Sequence, residues 1–479
     1  MSDIWTAERL FFETRQIESE WPGQIDWLSQ VITELSQEQC TAREAGLLAG
    51  FWLLHFVHQV RVISADETPI EQACKGHVTI NVAESRRSQL LADLTTTTER
   101  RRVDDLIRIV WKTRALPENL ALLPLADENN LTQADKTSKL KPLLSHLRSL
   151  SGKKVLFADS YLKIGRAGYL NAVLSTWPWA TWHFGTDDAL SVTPILDVNL
   201  RLALARSITI SSVSDLTKAL IPLLIPHGYC ENRRDVRRQV LSGVPCQPKA
   251  LHTATGLQMS LTVQHLAATW GTEGTLITTH QHGGHTGLDH QHVLEDLEVS
   301  LSDFYYTFGW TDSRPNVRPL AIPPPRGRAY KARNSVLLMS LESAPFFYRL
   351  QPFCIPDHVT KCLEESRRFL SSLNAEVDIS IRAKQQEQLV LKSSNLAARL
   401  TDVVGSGPSA ASKFGLVVHN YLGTSWLETL AMDMPTVCFI PRGIHKFRAA
   451  AQPFADALVR VGVLHYSGLE AAKFVNALR

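Results

Sequence analysis

TLITTHQHGGHTG, residues 275–287, runs from a short β-branched segment straight into paired glycines and histidines. A run of this length rich in Ile and Thr reads as a strand, and Gly283 and Gly284 end it. Four further runs of the same kind follow: SVLLMS at 335–340, VDISI at 377–381, GLVVH at 415–419 and TVCFI at 436–440. The gaps between them are long enough for crossover helices, which predicts a parallel, doubly wound α/β sheet. In one gap Val359, Cys362, Leu363, Phe369, Leu370 and Leu373 share a face at helical spacing, with Glu364, Glu365, Arg367 and Arg368 off it.

Upstream the pattern changes. The first 150 residues read as mostly helical, and AGLLAGFWLLHFV at 45–57 is short of the ~20 apolar residues that cross a bilayer, so it predicts a buried helix. ADENNLTQADKTSK at 126–139 reads as a linker, and KKVLFADSYLKIGRAGYLNAVL, from 153, opens an α/β unit. LTKALIPLLIPHGYCENRR at 216–234 predicts a buried helix stopped by Pro226 and Gly228. RPLAIPPPRGRAY at 318–330 predicts an extended surface connection. The expected organisation is a helical region over 1–150, a Rossmann-like domain over 151–265 and a second over 266–479.

A chain of 479 residues exceeds what one core organises. With 44% apolar and 20% charged residues it reads as a soluble globular protein, and 50 basic against 47 acidic residues leave no nucleic-acid footprint. Seven cysteines without a CxxC pair, and a start, MSDIWTAERLFFE, unlike a signal peptide, predict a cytoplasmic setting.

Ligands of open α/β sheets bind at the carboxyl ends of strands, which is where residues 281–292 fall. Gly283 and Gly284 let a backbone approach a ligand, and His282 before them suits phosphate binding or general acid–base work. Five of 17 histidines lie in the thirteen positions 280–292, and His280 and His282 point to one side of the strand end. A zinc hydrolase or metal-binding protein is therefore an alternative. However, no HExxH or cysteine pair accompanies them, and the favoured expectation is a sugar- or phosphate-binding loop with no metal or cofactor.

VVHNYLGTSWLETLAMDMPTVCF at 417–439 reads as strand, tight turn, short helix and strand. Thr424 and Ser425 would cap the helix, with Glu428 in its first turn, either as a capping box or as an anion site. The absence of a Walker lysine argues against an ATP P-loop. Arg349 and Arg382 follow strands on the same predicted edge and suit a diphosphate or a sugar acid. Glu295, Glu298 and Asp303, followed by Tyr305, Tyr306 and Trp310, could orient the histidines or line a carbohydrate site.

Taken in order, QHGGxxG at 281–287, Glu295 and Glu298, SD at 302–303, GW at 309–310, FYRL at 347–350 and NYLGTSWLETLAMDMPT at 420–436 resemble a bacterial family of transferases of O-antigen and surface-carbohydrate biosynthesis. AGFWLLHFVHQVR, ADSYL and LIPLLIPHGYCE extend the resemblance over most of the chain. The last motif is similar to that of capsule-polysaccharide glycosyltransferases that transfer Kdo and related sugar acids from CMP donors. The resemblance implies a GT-B architecture of two Rossmann-like domains facing a cleft.

It also implies an enzyme acting on a nucleotide-sugar donor and a polysaccharide or lipid-linked acceptor; where the acceptor is lipid-linked, basic surface patches and the aromatic run near Phe51 and Trp52 are the expected peripheral contacts at the inner membrane face. The expected catalytic set is His282 with Asp289 or Glu295. Gln281, Gly283, Gly284, Arg349, Arg382, Asn420, Gly423, Thr424, Ser425 and Glu428 are expected around the nucleotide sugar. A non-catalytic carbohydrate-binding scaffold is a further alternative.

Overall fold

The computed structural model describes residues 5–65, 78–83, 97–125, 155–158, 180–183, 192–244, 246–320, 335–340, 350, 356–382, 401–403, 407–443 and 445–478. The linker expected at 126–139, most of the proline-rich piece and Arg349 lie outside them.

Two six-stranded, all-parallel sheets organise the chain. The first has the order β4-β3-β5-β6-β7-β8, from β3 (Val155–Ala158), β4 (Ala180–His183), β5 (Ala250–Thr253), β6 (Leu276–His280), β7 (Phe304–Thr307) and β8 (Val317–Pro319). The second has the order β11-β10-β9-β12-β13-β14, from β9 (Ser335–Met339), β10 (Asp378–Arg382), β11 (Thr401–Asp402), β12 (Leu416–His419), β13 (Thr436–Phe439) and β14 (Leu464–His465). A separate parallel pair joins β1 (Val78–Ala83) to β2 (Leu120–Leu125).

This topology moves the expected division at 265/266. Ala250 pairs with Leu276 and Thr278 with Phe304, so β6 and the histidine loop belong to the first sheet, and the second begins at Ser335. The five downstream strand candidates are alike in composition, and alternation with helices does not say which sheet a strand joins.

The N-terminal region is helical as expected, with α1 (Ala7–Ser36), α2 (Ala42–Ser64) and α3 (Thr97–Thr113). Thr6 and Thr41 start the first two by accepting from the backbone N–H of Arg9 and Glu44. These helices are not a separate body. One continuous core runs from Trp5, Leu28 and Leu53 through Val110 to Leu216, Leu266, Ile277 and Leu301. Gly46 of α2 lies against Leu301, where a methyl group would crowd that side chain.

Helix α2 is long and apolar enough to cross a membrane, but nearly all of it is enclosed by protein. Phe51 and Trp52 are 1% and 2% exposed, so they are core residues of the expected buried helix, and the membrane contact considered for them with a lipid-linked acceptor is not open to them.

The first unit continues through α4 (Val198–Arg206), α5 (Val213–Leu224), α6 (Arg233–Ser242), the short α7 (Gly256–Met259), α8 (Leu261–Thr272) and α9 (Val293–Leu301). Gly274, at φ +95°, makes the sharp exit from α8 that feeds β6. In the second unit α10 (Pro356–Ser372) covers β9 and β10 with Phe369 and Leu370, joined by Leu373 just past its end, as the sequence periodicity predicts. Glu365 departs from that pattern: it is buried, and its carboxylate accepts from the Gly468 N–H at 2.7 Å. The chain ends with α11 (Gly407–Ala411), α12 (Thr424–Ala431), α13 (Gln452–Arg460) and α14 (Gly468–Ala477).

Loops from the two sheets touch. Asp289 and Phe447 form an antiparallel bridge, flanked by His290 N–H to Lys446 carbonyl and Arg448 N–H to Leu288 carbonyl, each 2.9 Å. Two Rossmann-like parallel units joined through strand-end loops, with a helical N-terminus, are the GT-B-like architecture that the resemblance implied.

Candidate active site

The loop leaving β6 is built on Gln281, whose side chain is fully engaged. Its amide nitrogen donates to the carbonyls of Gly283 at 2.8 Å and Thr286 at 3.1 Å. Its oxygen accepts from the Phe308 N–H at 2.9 Å and the Trp310 indole at 2.8 Å. An amide has two donors and one two-lone-pair acceptor, so no capacity remains for a ligand. Gln281 is the organiser of the loop and not the sugar contact expected of it.

His282 follows it with its side chain 21% exposed and Nε2 2.7 Å from Oε1 of buried Glu298. The same carboxylate oxygen accepts from the Gln258 amide, which lies 3.1 Å from the His282 ring. A carboxylate on α9 thus fixes an imidazole at a strand end, which leaves a histidine suited to proton transfer with a carboxylate to stabilise its cation.

The carboxylate roles expected of Glu295 and Asp289 fall elsewhere. Glu295 accepts from Arg448 through both oxygens, at 3.0 and 2.9 Å, from Arg314 at 2.6 Å and from the Gly287 N–H at 2.8 Å. It is a buried, cation-compensated joint between the units, with Arg448 also packed 5.2 Å from the Trp310 ring centroid. Asp289 lies 2.9 Å from His445 Nε2 and 3.4 Å from His285 Nδ1. Burial would raise its carboxyl, but the His445 and His285 charges outweigh that and hold it well below the ordinary carboxylate range.

His280 and His282 do not converge as the zinc alternative required. His280 Nδ1 is 3.1 Å from His252 Nε2 with the rings stacked, whereas His282 turns to Glu298. Burial pushes His280 down to about 3 and His252 to about 4, so this pair is neutral.

The second motif meets the first directly. A methyl group on Gly284 would strike the Gly423 carbonyl and the Thr424 nitrogen, so the QHGG and LGTSW backbones lie in contact. Gly423 is the N-cap of α12, with no side-chain cap, and Thr424 and Ser425 are its first two helical residues. The capping box and the first-turn position of Glu428 are therefore corrected. The Ser425 hydroxyl is 3.4 Å from that of Tyr421, and the Glu428 carboxylate approaches Gly407 at the start of α11. A helix start without a side-chain acceptor presents its first N–H groups to an anion.

Asn420 is buried, donating to the hydroxyls of Ser340 at 3.1 Å and Ser366 at 2.9 Å, and it ties strand ends to α10. Arg382 ends β10 at the carboxyl edge of the second sheet, where its carbonyl accepts from the Ser340 N–H at 3.0 Å. Gly283 has open space around it, with Thr286 Oγ1 3.6 Å from where a methyl group would stand.

Residues 94–478 match the family model described as LIC12162 family transferase. No curated protein matches the sequence. Among solved structures, Acinetobacter baumannii MurG is 12% identical, over 68% of this chain and 90% of that one, at a TM-score of 0.32. Anabaena HepE, solved with UDP and glucose, is 12% identical over 68% and 89%, at 0.34. The spinosyn rhamnosyltransferase SpnG, solved with spinosyn aglycone, is 10% identical over 71% and 86%, at 0.30. At these scores the likenesses add nothing to the fold described above from its own sheets.

Proposed function

Since the family match spans most of the chain, which therefore belongs to the LIC12162 family of transferases, we propose that the group it moves is a sugar, carried from a nucleotide donor to a surface-polysaccharide or O-antigen acceptor in the cytoplasm, at the inner face of the membrane where that acceptor is lipid-linked. The observation that carries this reading is the contact between Gly284 and Gly423, which joins the His282–Glu298 pair to the uncapped start of α12.

In this reading His282 accepts the proton of the acceptor hydroxyl as its oxygen attacks the anomeric carbon, and Glu298 stabilises the imidazolium that results. The bond from anomeric carbon to phosphate oxygen breaks, and the nucleotide leaves with the electron pair. Backbone N–H groups at the start of α12, the Ser425 hydroxyl and the guanidiniums of Arg349 and Arg382 stabilise that charge. Those cations also suit a sugar acid, so a CMP-linked keto-sugar acid such as Kdo is the donor of first choice.

The test is a thermal-shift screen of CMP- and UDP-linked sugars against the purified chain. A nucleotide that binds the native state raises the melting temperature, and that rise should vanish in Ser425→Ala and Arg349→Ala. A chain indifferent to every nucleotide sugar would sink the donor site, and a response to UDP-sugars alone would remove the CMP assignment.

A further inference from the structure

We propose that His285, Asp289 and His445 hold a divalent transition metal, with zinc the best match, that clips the loop of the first sheet to the loop of the second. Their candidate ligand atoms all lie within 4.8 Å of one another. His285 and Asp289 stand four residues apart on a single turn, where the Leu288 and Asp289 N–H groups both donate to the His285 carbonyl. His445 arrives from the second unit just before Lys446–Arg448, which pairs with 288–290. Backbone pairing therefore fixes all three side chains relative to one another.

Three observations point to a cation. The Asp289 side chain is fully buried, and among the described residues neither of its oxygens accepts a hydrogen bond. A buried carboxylate in that state is costly unless a positive charge compensates it, and a metal ion ligated by both imidazoles would supply that charge where protonation of the imidazoles otherwise does.

The two imidazoles flank the carboxylate at the spacing of metal ligands, His445 Nε2 at 2.9 Å from Oδ1 and His285 Nδ1 at 3.4 Å from Oδ2. Tetrahedral zinc with bonds of ~2.0–2.1 Å sets its ligand atoms roughly 3.3–3.4 Å apart, with lone pairs aimed at a shared point and not at each other.

The donor set of two imidazoles and one carboxylate is also within zinc's ordinary choice, with water as the fourth ligand. Side chains no more than 8% exposed make this a clip inside the joint and not an open reaction site. It differs from the His280–His282 pair that the sequence offered for metal.

The proposal is independent of the sugar-transfer reading, and so is its test. The full chain, stripped with chelator and dialysed, is titrated with zinc sulfate by calorimetry and with cobalt(II) by visible absorption. The expected result is one equivalent of zinc per chain, a higher melting temperature with zinc, and the d–d absorption of tetrahedral cobalt. Asp289→Asn and His445→Gln should each abolish stoichiometric binding, while a chain lacking His280 and His282 should retain it.

Absence of zinc uptake and of the cobalt band in the wild-type chain would overturn the proposal whether or not the variants fold. Stoichiometric binding that survives Asp289→Asn would overturn it as well. A chain that binds zinc here yet ignores every nucleotide sugar would leave the metal site standing and remove only the donor reading.

Discussion

Nε2 of His282 and Oε1 of Glu298 meet at 2.7 Å, between the loop that leaves β6 and the middle of α9. Glu298 is 3% exposed, and Gln258 donates to the same oxygen, so the carboxylate is held from two sides and the imidazole is aimed. The more exposed partner of the pair is the histidine, and with its Nε2–H given to the carboxylate the proton of the proposed transfer goes to Nδ1, across the ring from the fixed negative charge.

Replacing His282 by alanine should lower kcat about 10²- to 10⁴-fold, the usual contribution of a positioned acid–base group, with a smaller change in KM. Glu298→Gln keeps a hydrogen-bond acceptor but loses the charge, so it should fall between wild type and His282→Ala. Steady-state kinetics with the donor found by the nucleotide screen decides. A His282→Ala enzyme of wild-type kcat would remove this residue from the chemistry.

Glu295, one turn earlier on α9, should behave in the opposite way. Arg448→Ala leaves it buried with Arg314 and the Gly287 N–H alone. Complete loss of a buried partner costs about 3–5 kcal/mol, and with half the compensation left the expected loss of stability is roughly 1–3 kcal/mol. Lysine should not rescue fully, because one ammonium on Glu295 leaves the Asp289 carbonyl without the Arg448 Nε–H that donates to it at 3.2 Å. Urea denaturation of Arg448→Ala and Arg448→Lys tests this, and an unchanged midpoint for both would show that the joint contributes nothing.

The contrast between these two glutamates marks where sequence reading stops. Strands β6, β9, β10, β12 and β13, the burial of α2 and the place of the QHGG loop at a sheet edge were legible, because each follows from local period and local turn chemistry. Glu295 and Glu298 sit three residues apart on one helix, and nothing local separates them. Arg448, 153 positions away, makes Glu295 a joint. Gln281 looked like a ligand contact because it precedes His282, yet Phe308 and Trp310, one helix and one strand later, use its oxygen. His445 carried no signal at all, since its partners are set only when the two units meet.

Gly284→Ala and Gly283→Ala form a matched pair of tests for that meeting. At Gly284 the added carbon runs into the Gly423 carbonyl and Thr424 nitrogen, and backbone cannot swing aside as a side chain can. Overpacking of this kind costs about 1–3 kcal/mol, and the shift of α12 should weaken donor binding as well. At Gly283 the nearest atom is a hydroxyl at 3.6 Å, so the same change should alter the melting temperature little. Equal tolerance at both positions would mean that the two motifs do not touch in solution.

Stability should fall as the solution is acidified below neutrality, because several histidines are buried in their neutral form. His265, whose Nε2–H donates to the Gly228 carbonyl at 3.1 Å, is pushed from 6.5 to about 3 by burial, and that one backbone bond only partly opposes the shift. His419, buried beside Thr429, is likewise lowered to about 3 by burial. Between pH 6.5 and these folded-state values the unfolded chain binds a proton that the native chain refuses. Stability therefore rises with pH across this window and is lost as pH falls, by about 1.4 kcal/mol per histidine for each unit below the unfolded value. The melting temperature measured from pH 7.5 down to about 5 should decline steadily, and the decline should be shallower in His265→Gln, whose amide can still donate to Gly228 but cannot titrate. A flat profile, or an identical slope in that variant, would mean that His265 gains its proton in the folded chain as readily as in the unfolded one.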